Sequence, residues 1–229
     1  MTVTRPLIVT RPDPGGTATL ARARAMGLDA HHLPLFAARP LDWTPPDPAG
    51  FDALLLTSAQ AVRLAGAGLA RLAVLPVHAV GAATARAAEA AGLTVAAVGD
   101  GDVQSLADGM ASRKIGRILW LCGRDRTAFD FGAATVCALP CYAVDAVEPP
   151  PEWDARIASD AVLLAHSRRA ASRIADLTEG RRAALAIVAI SPAARGAAGD
   201  GWGAIVAAPQ PTDAAMLAVA RTLCHKGAK

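Results

Sequence analysis

The sequence predicts an α/β protein made of two similar halves, each a parallel sheet flanked by helices. Three observations predict it. The stretch Asp52-Ala-Leu-Leu-Leu-Thr-Ser-Ala-Gln-Ala-Val-Arg63 is echoed by Asp160-Ala-Val-Leu-Leu-Ala-His-Ser-Arg-Arg-Ala-Ala-Ser-Arg173, and His78-Ala-Val-Gly-Ala-Ala-Thr-Ala-Arg86 by Ala189-Ile-Ser-Pro-Ala-Ala-Arg195. The offset is roughly 110 residues, far above the periods of solenoid repeats, so the copied unit is half a molecule. Short apolar runs alternate with helical patterns of about 10–15 residues, the arrangement of parallel sheets covered by helices. Finally, hydrophobic residues make up 53% of the 229 positions but aromatics only 4%. Ala-rich stretches favour helix, so the core rests on Leu, Val and Ile in short strands.

In chain order, residues 7–10 read as a buried strand stopped by Arg11-Pro-Asp-Pro-Gly-Gly16. Residues 17–26 read as a helix closed by Gly27. Residues 29–35 suit a second strand. The Pro-rich residues 40–50 read as a loop. Residues 53–56 form a strand, and Thr57 or Ser58 caps a helix reaching about residue 67. A strand at 77–80, a tight turn at Gly81 and a helix at 82–91 follow. Residues 94–98 and 117–121 read as strands around a short helix at 104–112. Residues 122–126 read as a polar turn. Residues 139–147, with Tyr142, suit an extended segment, and Pro149-Pro-Pro151 breaks the chain. The second copy supplies strands at 161–165, 186–190 and 204–207. Its helices start at Ser167 and Pro192, and the last runs from 214 to 224 behind Thr212 or Asp213 as cap.

The copies do not read as consecutive domains. The opening Ile8-Val-Thr-Arg-Pro12 has its counterpart in Leu119-Trp-Leu-Cys-Gly-Arg124. The first strand-helix-strand therefore goes with the C-terminal section. Residues 1–35 and 147–229 are expected to form one lobe and residues 41–140 the other, with connections at 36–40 and 141–146.

No run approaches the ~18 apolar residues of a membrane span, and the N-terminus lacks a basic region followed by a long apolar stretch, so a cytoplasmic protein is expected. Cys122, Cys137, Cys141 and Cys224 show no C-x-x-C spacing, so no metal is expected and free thiols fit. The net charge is +3, and only Lys114, Lys226 and Lys229 of the 23 basic residues are Lys. The scattered Arg suit carboxylate or phosphate recognition rather than nucleic acid. There is no G-x-G-x-x-G and no P-loop lysine, which disfavours dinucleotides and ATP.

In such sheets ligands bind beyond the carboxyl ends of the strands. Those ends carry Arg11, Thr57, Ser58, Gly81, Thr84, Gly123, Arg124, His166, Ser167, Ser191 and Thr212. A helix N-terminus offers unpaired N–H groups to an anion, and each hydroxyl serves equally as a simple helix cap. Arg11 and Arg124 suit a carboxylate, or a local partner such as Asp13 for the first and Asp125 or Asp130 for the second. His166 adjoins Ser167, yet no Asp or Glu pattern completes a triad. Tyr142, the only Tyr in the chain, is either a packing residue or a proton donor at neutral pH.

Taken in order, Val9-Thr-Arg-Pro12, Leu55-Leu-Thr-Ser-Ala-Gln-Ala-Val62, Ala79-Val-Gly-Ala-Ala-Thr84, Leu121-Cys-Gly-Arg-Asp-Arg126, Tyr142 and Ala208-Pro-Gln-Pro-Thr212 resemble the uroporphyrinogen-III synthase family. The resemblance spans essentially the whole chain. It implies two flavodoxin-like lobes joined by a two-stranded ladder. It implies cyclisation of hydroxymethylbilane to uroporphyrinogen III, with loss of water and inversion of the last pyrrole ring. No metal or organic cofactor is expected. By the resemblance, Tyr142 assists departure of the substrate hydroxyl, and Thr57, Ser58, Thr84, Ser167, Ser191 and Thr212 contact substrate carboxylates. A monomer is expected, with transient contact to hydroxymethylbilane synthase as the supplier of the substrate.

Two places depart from the family pattern. Many members have Ser-Pro-Ser where this chain has His166-Ser167-Arg168, and some carry Thr where it has Ala193-Ala194. His166 and Arg168 are the groups available to replace those hydroxyls. The competing reading is a two-lobed small-anion binding or sensor protein without catalysis.

Overall fold

The computed structural model describes residues 5–100, 103–127, 129–158 and 160–225. The chain opens with β1 (Leu7–Val9), wholly buried. Helix α1 (Gly15–Ala25) starts two residues before the predicted Thr17. Asp13 Oδ1 accepts from the Thr17 N–H at 2.9 Å and from its hydroxyl at 2.6 Å. Gly27, at φ 77°, ends the helix as expected. β2 (Ala30–His32) is shorter than predicted, although the Leu33 and Leu35 N–H groups still donate to Val9 and Thr10 at 2.9 and 3.0 Å. β3 (Phe36–Pro40) follows, and the Pro-rich stretch holds only a 3-10 turn, Pro48–Gly50, capped by Asp47.

β4 (Ala53–Leu56) matches its predicted bounds. α2 (Ala59–Leu64) is shorter than expected and passes into a 3-10 run, Gly66–Leu72. β5 (Val77–Ala79), α3 (Ala82–Ala90), β6 (Val95–Val98) and α4 (Val103–Ser112) follow the pattern. β7 (Arg117–Gly123) corrects the reading of residues 122–126 as a turn, because Cys122 and Gly123 still pair with the next strand. That strand, β8 (Thr135–Ala146), is 12 residues long.

After the Pro triplet comes α5 (Trp153–Ile157), which the periodicity did not reveal. Five residues are too short for a repeat, but Trp153 and Ile157 lie on one face four apart and are buried. β9 (Val162–Ala165), α6 (Arg168–Leu177), β10 (Ala186–Ala189), α7 (Pro192–Ala197), β11 (Ala204–Ala207) and α8 (Asp213–His225) complete the chain. Among the described residues no helix is long and apolar enough to cross a membrane.

The chain divides into two compact units, Met1–Ala37 with Ala146–Lys229, and Ala38–Asp145. One sheet has the order β11-β10-β9-β1-β2 and the other β3-β8-β7-β4-β5-β6. From β8 to β6 the neighbours of the second sheet are parallel, as are all those of the first. Reading both sheets in space matches β2 with β8, β1 with β7, β9 with β4, β10 with β5 and β11 with β6. The two sheets are thus the same spatial design with the chain entering at different strands. That is why the repeat links residues 52–63 to 160–173 while the opening strand finds its counterpart in 119–124.

Parallel strands covered on both faces need apolar residues at successive positions. Alternation then sends neighbours to opposite faces. Leu54, Leu56, Leu119 and Leu121 join the core under α2 and α3. Ala53, Leu55, Ile118 and Trp120 face α4. In the other unit Leu7, Val9, Val162, Leu164 and Val188 meet Met216, Leu217 and Ala220 of α8. Leu54 and Leu163 are fully buried, so Leu54→Ala and Leu163→Ala each cost about 2–5 kcal/mol by urea denaturation. A cost below about 1 kcal/mol would contradict these cores.

Candidate active site

The carboxyl ends of β4, β5 and β7 gather the candidates of the Ala38–Asp145 unit. Beyond β4, Thr57 Oγ1 accepts from the Trp120 indole N–H at 3.2 Å. Ser58 is the N-cap of α2, accepting from the Gln60 N–H at 3.1 Å. Gly81, at φ 151°, is the N-cap of α3, and Thr84 lies inside the first turn, buried at 7% exposure. Burial turns Thr84 from an expected substrate hydroxyl into a core-facing one. Arg124 is exposed and pairs with Asp145 at 2.6 Å and with Asp125 at 3.3 Å. Of the two local partners expected for Arg124, Asp125 is used, and Asp145 across the β8 end replaces Asp130.

Tyr142 sits on β8 opposite Gly123. Its ring is half-buried against the α2 side of the core, and the Ser58 hydroxyl is the polar side chain that acts on its phenol. Burial pushes the phenol above its ordinary value, and the Ser58 hydrogen bond opposes that only in part. The phenol is therefore protonated throughout the physiological range. It is a neutral hydrogen-bond donor set at a strand end beside a helix cap.

In the other unit the strand ends meet around a carboxylate that sequence reasoning placed only as a helix cap. Asp213, the first residue of α8, accepts from the Thr19 hydroxyl at 2.7 Å and from His166 Nε2 at 3.0 Å. Arg22 also donates to it, and Arg11 lies 3.7 Å away. Burial alone would raise the Asp213 carboxyl. Hydrogen bonds from His166, Thr19 and Arg22 outweigh it and hold the group far below the usual carboxylate range. His166 is lowered by burial, which wins over the opposing Asp213 hydrogen bond, so the imidazole is neutral and donates Nε2–H to the carboxylate.

Two expectations change here. Arg11 turns to Asp213 across the fold, whereas Asp13 serves Thr17. His166, read as a group open to ligand, has a side chain only 7% exposed and already engaged. The cap positions hold. Ser167 accepts from the Ala170 N–H at 3.0 Å, Ser191 from Ala194 at 3.2 Å and Thr212 from Ala215 at 3.2 Å. Each such hydroxyl keeps its own proton to donate. Arg168 is exposed at the start of α6.

Asp213 itself was legible only as a cap, because its partners come from residues 11 to 22 and 166. The Gly123–Tyr142 pairing was equally hidden, although Pro140 within an extended run signals an irregular strand.

The HEM4 family, uroporphyrinogen-III synthase HemD, matches residues 18–218. No curated protein matches the chain in sequence. Among solved structures, the uroporphyrinogen-III synthetase from Helicobacter pylori 26695 is similar over 96% of this chain and 99% of its own, at 16% identity and a TM-score of 0.67. A mutant uroporphyrinogen III synthase from the extremely thermophilic bacterium Thermus thermophilus is similar over 96% and 98%, at 18% identity and a TM-score of 0.50. At such identities the structures attest the fold, a mixed α/β arrangement of parallel sheets flanked by helices. The family match extends across most of the chain, from within α1 to within α8, and on that ground the chain belongs to the uroporphyrinogen-III synthase family.

Proposed function

We propose that this chain closes linear hydroxymethylbilane to uroporphyrinogen III, with Tyr142 as the group that assists departure of the substrate hydroxyl. The family match supports the reaction. The observation that carries the role of Tyr142 is a single, half-buried phenol opposite Gly123 at the carboxyl end of β7, kept protonated by its burial.

The chemistry asks for orientation more than for strong acids or bases. Tyr142 O–H donates to the hydroxymethyl oxygen while the electron-rich pyrrole pushes out the leaving group. The C–O bond breaks, water departs and an azafulvene cation remains. The substituted carbon of the last ring attacks that cation and forms a spiro intermediate. The spiro centre fragments and recloses with the last ring turned over. Loss of a ring proton restores aromaticity, which returns the proton lent to the leaving oxygen. The net change is loss of one water. A neutral donor placed where negative charge develops on oxygen supplies the assistance without protonating the pyrroles.

Substrate carboxylates fall to the exposed or half-exposed groups at the strand ends. Arg11, Arg124 and Arg168 offer guanidinium donors, and Thr57, Ser58, Ser167, Ser191 and Thr212 offer hydroxyl protons. Gly81 at the α3 cap and Gly123 at the end of β7 lie among them. The strand order of each sheet supports two flavodoxin-like lobes. We read them as residues 1–35 with 147–229 and residues 41–140, joined by the β3–β8 ladder. A monomer meeting hydroxymethylbilane synthase transiently fits this reading, as does a cytoplasmic setting.

The test is to incubate the protein with hydroxymethylbilane, oxidise the products and separate the isomers. Type III product above the spontaneous background is expected. Type I product alone overturns the proposal.

A further inference from the structure

We infer that Gly123 is a positioning residue: its missing side chain, together with a bulge in β8, seats the Tyr142 ring over the end of β7, on the side of the sheet where Ser58 caps α2. The inference rests on the reading of Tyr142 as the assisting group.

The geometry begins with register. β7 and β8 pair one-to-one from Arg117↔Thr135 to Cys122↔Pro140, and then Gly123 pairs with Tyr142. Cys141 is the extra residue, a bulge in a parallel pair, which is a rare place for one. Pro140 brings no N–H to the ladder, so the irregularity falls where a ladder bond is already missing. The bulged Cys141 is fully buried, and its thiol points to the carbonyls of Ala61 in α2 at 3.7 Å and Cys122 at 3.6 Å. Burial raises that thiol to about 12, so it is a packing group and not a reactive one. The Cys141 carbonyl accepts from the Leu41 N–H at 2.9 Å, and beyond the bulge Arg124 N–H donates to the Tyr142 carbonyl at 2.8 Å. The backbone is thus held at the bulged residue and again at Tyr142.

One residue without the bulge would reverse the face to which Tyr142 points. With it, the ring joins the core side that holds α2, and Ser58 is the cap of that helix. The remaining obstacle is the strand below. A Cβ on Gly123 would lie 2.9 Å from Tyr142 Cζ and 3.1 Å from the phenol oxygen. Gly123 is not among the residues of positive φ. Its glycine is therefore demanded by the close approach of this ring and not by backbone conformation. The clashing atoms are the far end of a side chain. A methyl group at 123 is accommodated by moving the phenol, so the variant folds and the phenol is misplaced.

The experiment compares wild type, Gly123→Ala, Tyr142→Phe and the double variant. Because the chain has one Tyr, absorbance near the phenolate band titrates Tyr142 alone. Gly123→Ala should keep its far-ultraviolet circular dichroism, leave KM within about twofold and lower kcat at least tenfold, since misplacement of about 1 Å costs up to 10²-fold. Its phenol should titrate closer to the ordinary value of about 10, as the ring leaves its buried seat. In the Tyr142→Phe background the same substitution should add no further loss in kcat. An active Tyr142→Phe would remove the reading of Tyr142 itself. An impaired Tyr142→Phe beside a fully active Gly123→Ala with unchanged titration would overturn the positioning role alone. Equal, additive losses in both backgrounds would also overturn it. Should Gly123→Ala fail to fold, cross-relaxation between the Tyr142 ring and the Gly123 α-protons in wild type decides: its presence supports the seat, and its absence overturns it.

Discussion

Tyr142→Phe is expected to lower kcat for type III product by roughly 10²-fold, the range of one general acid or hydrogen-bond donor, with KM little changed. Phe keeps the ring that packs against the α2 side of the core, so the melting temperature should move little. Only the O–H is lost. An interaction present mainly in the transition state shows itself as kcat and kcat/KM falling together. The pH profile adds a second check. Burial raises the phenol, so activity that depends on its protonated form persists from neutral pH to beyond the ordinary phenol range. Loss of activity on a limb near neutral pH, or full activity of Tyr142→Phe, would take Tyr142 out of the chemistry.

The second large effect concerns stability. Asp213→Ala leaves Thr19, His166, Arg11 and Arg22 without their common acceptor. Removing one partner of a buried charge pair costs about 3–5 kcal/mol, and partial exposure reduces this to about 2–3 kcal/mol here. Urea denaturation at pH 7 measures it, and a loss under about 0.5 kcal/mol would show the cluster to be incidental. The pH dependence follows from the directions of the shifts. The Asp213 carboxyl is depressed in the folded chain. Its contribution is complete above the unfolded value of about 3.9 and is lost as pH falls through and below it. The advantage of wild type over Asp213→Asn should therefore shrink from pH 5 downward.

His166 acts earlier on the same axis. Burial lowers its folded value, so the unfolded chain takes up the proton first, from about pH 6.5 downward. Stability then falls between pH 7 and 5. His166→Gln should flatten this slope in part, because the buried His78 is lowered in the same direction and remains. An unchanged slope would mean that His166 is not neutral in the folded state.

Much of the fold was legible because its decisions are local. Residues 53–56 and 204–207 are strands with the predicted bounds, since each is an apolar run stopped by polar, Gly or Pro residues. Ser58, Ser167, Ser191 and Thr212 cap helices because an oxygen two or three residues ahead reaches the free N–H groups. The misses share a cause. α5 is too short for a periodic signal, and its helix is justified by the burial of Trp153 and Ile157. β7 runs on through Cys122 and Gly123 because β8 lies beside it, which no local pattern states.

The candidate site divides the same way. Its residue types were visible at the strand ends, and the repeat showed that the two sets correspond. Their partners were not visible. Arg11 had Asp13 two residues away but also pairs across the fold, because α8 brings Asp213 to the end of β1. His166 looked open and is buried for the same reason. By itself the sequence determined most of the strands, helices and caps and the doubled design, since these depend on hydrogen bonds and burial periods spanning a few residues. Only the tertiary structure decided who meets Asp213 and why Gly123 must be glycine, since both depend on which distant strands become neighbours and in what register.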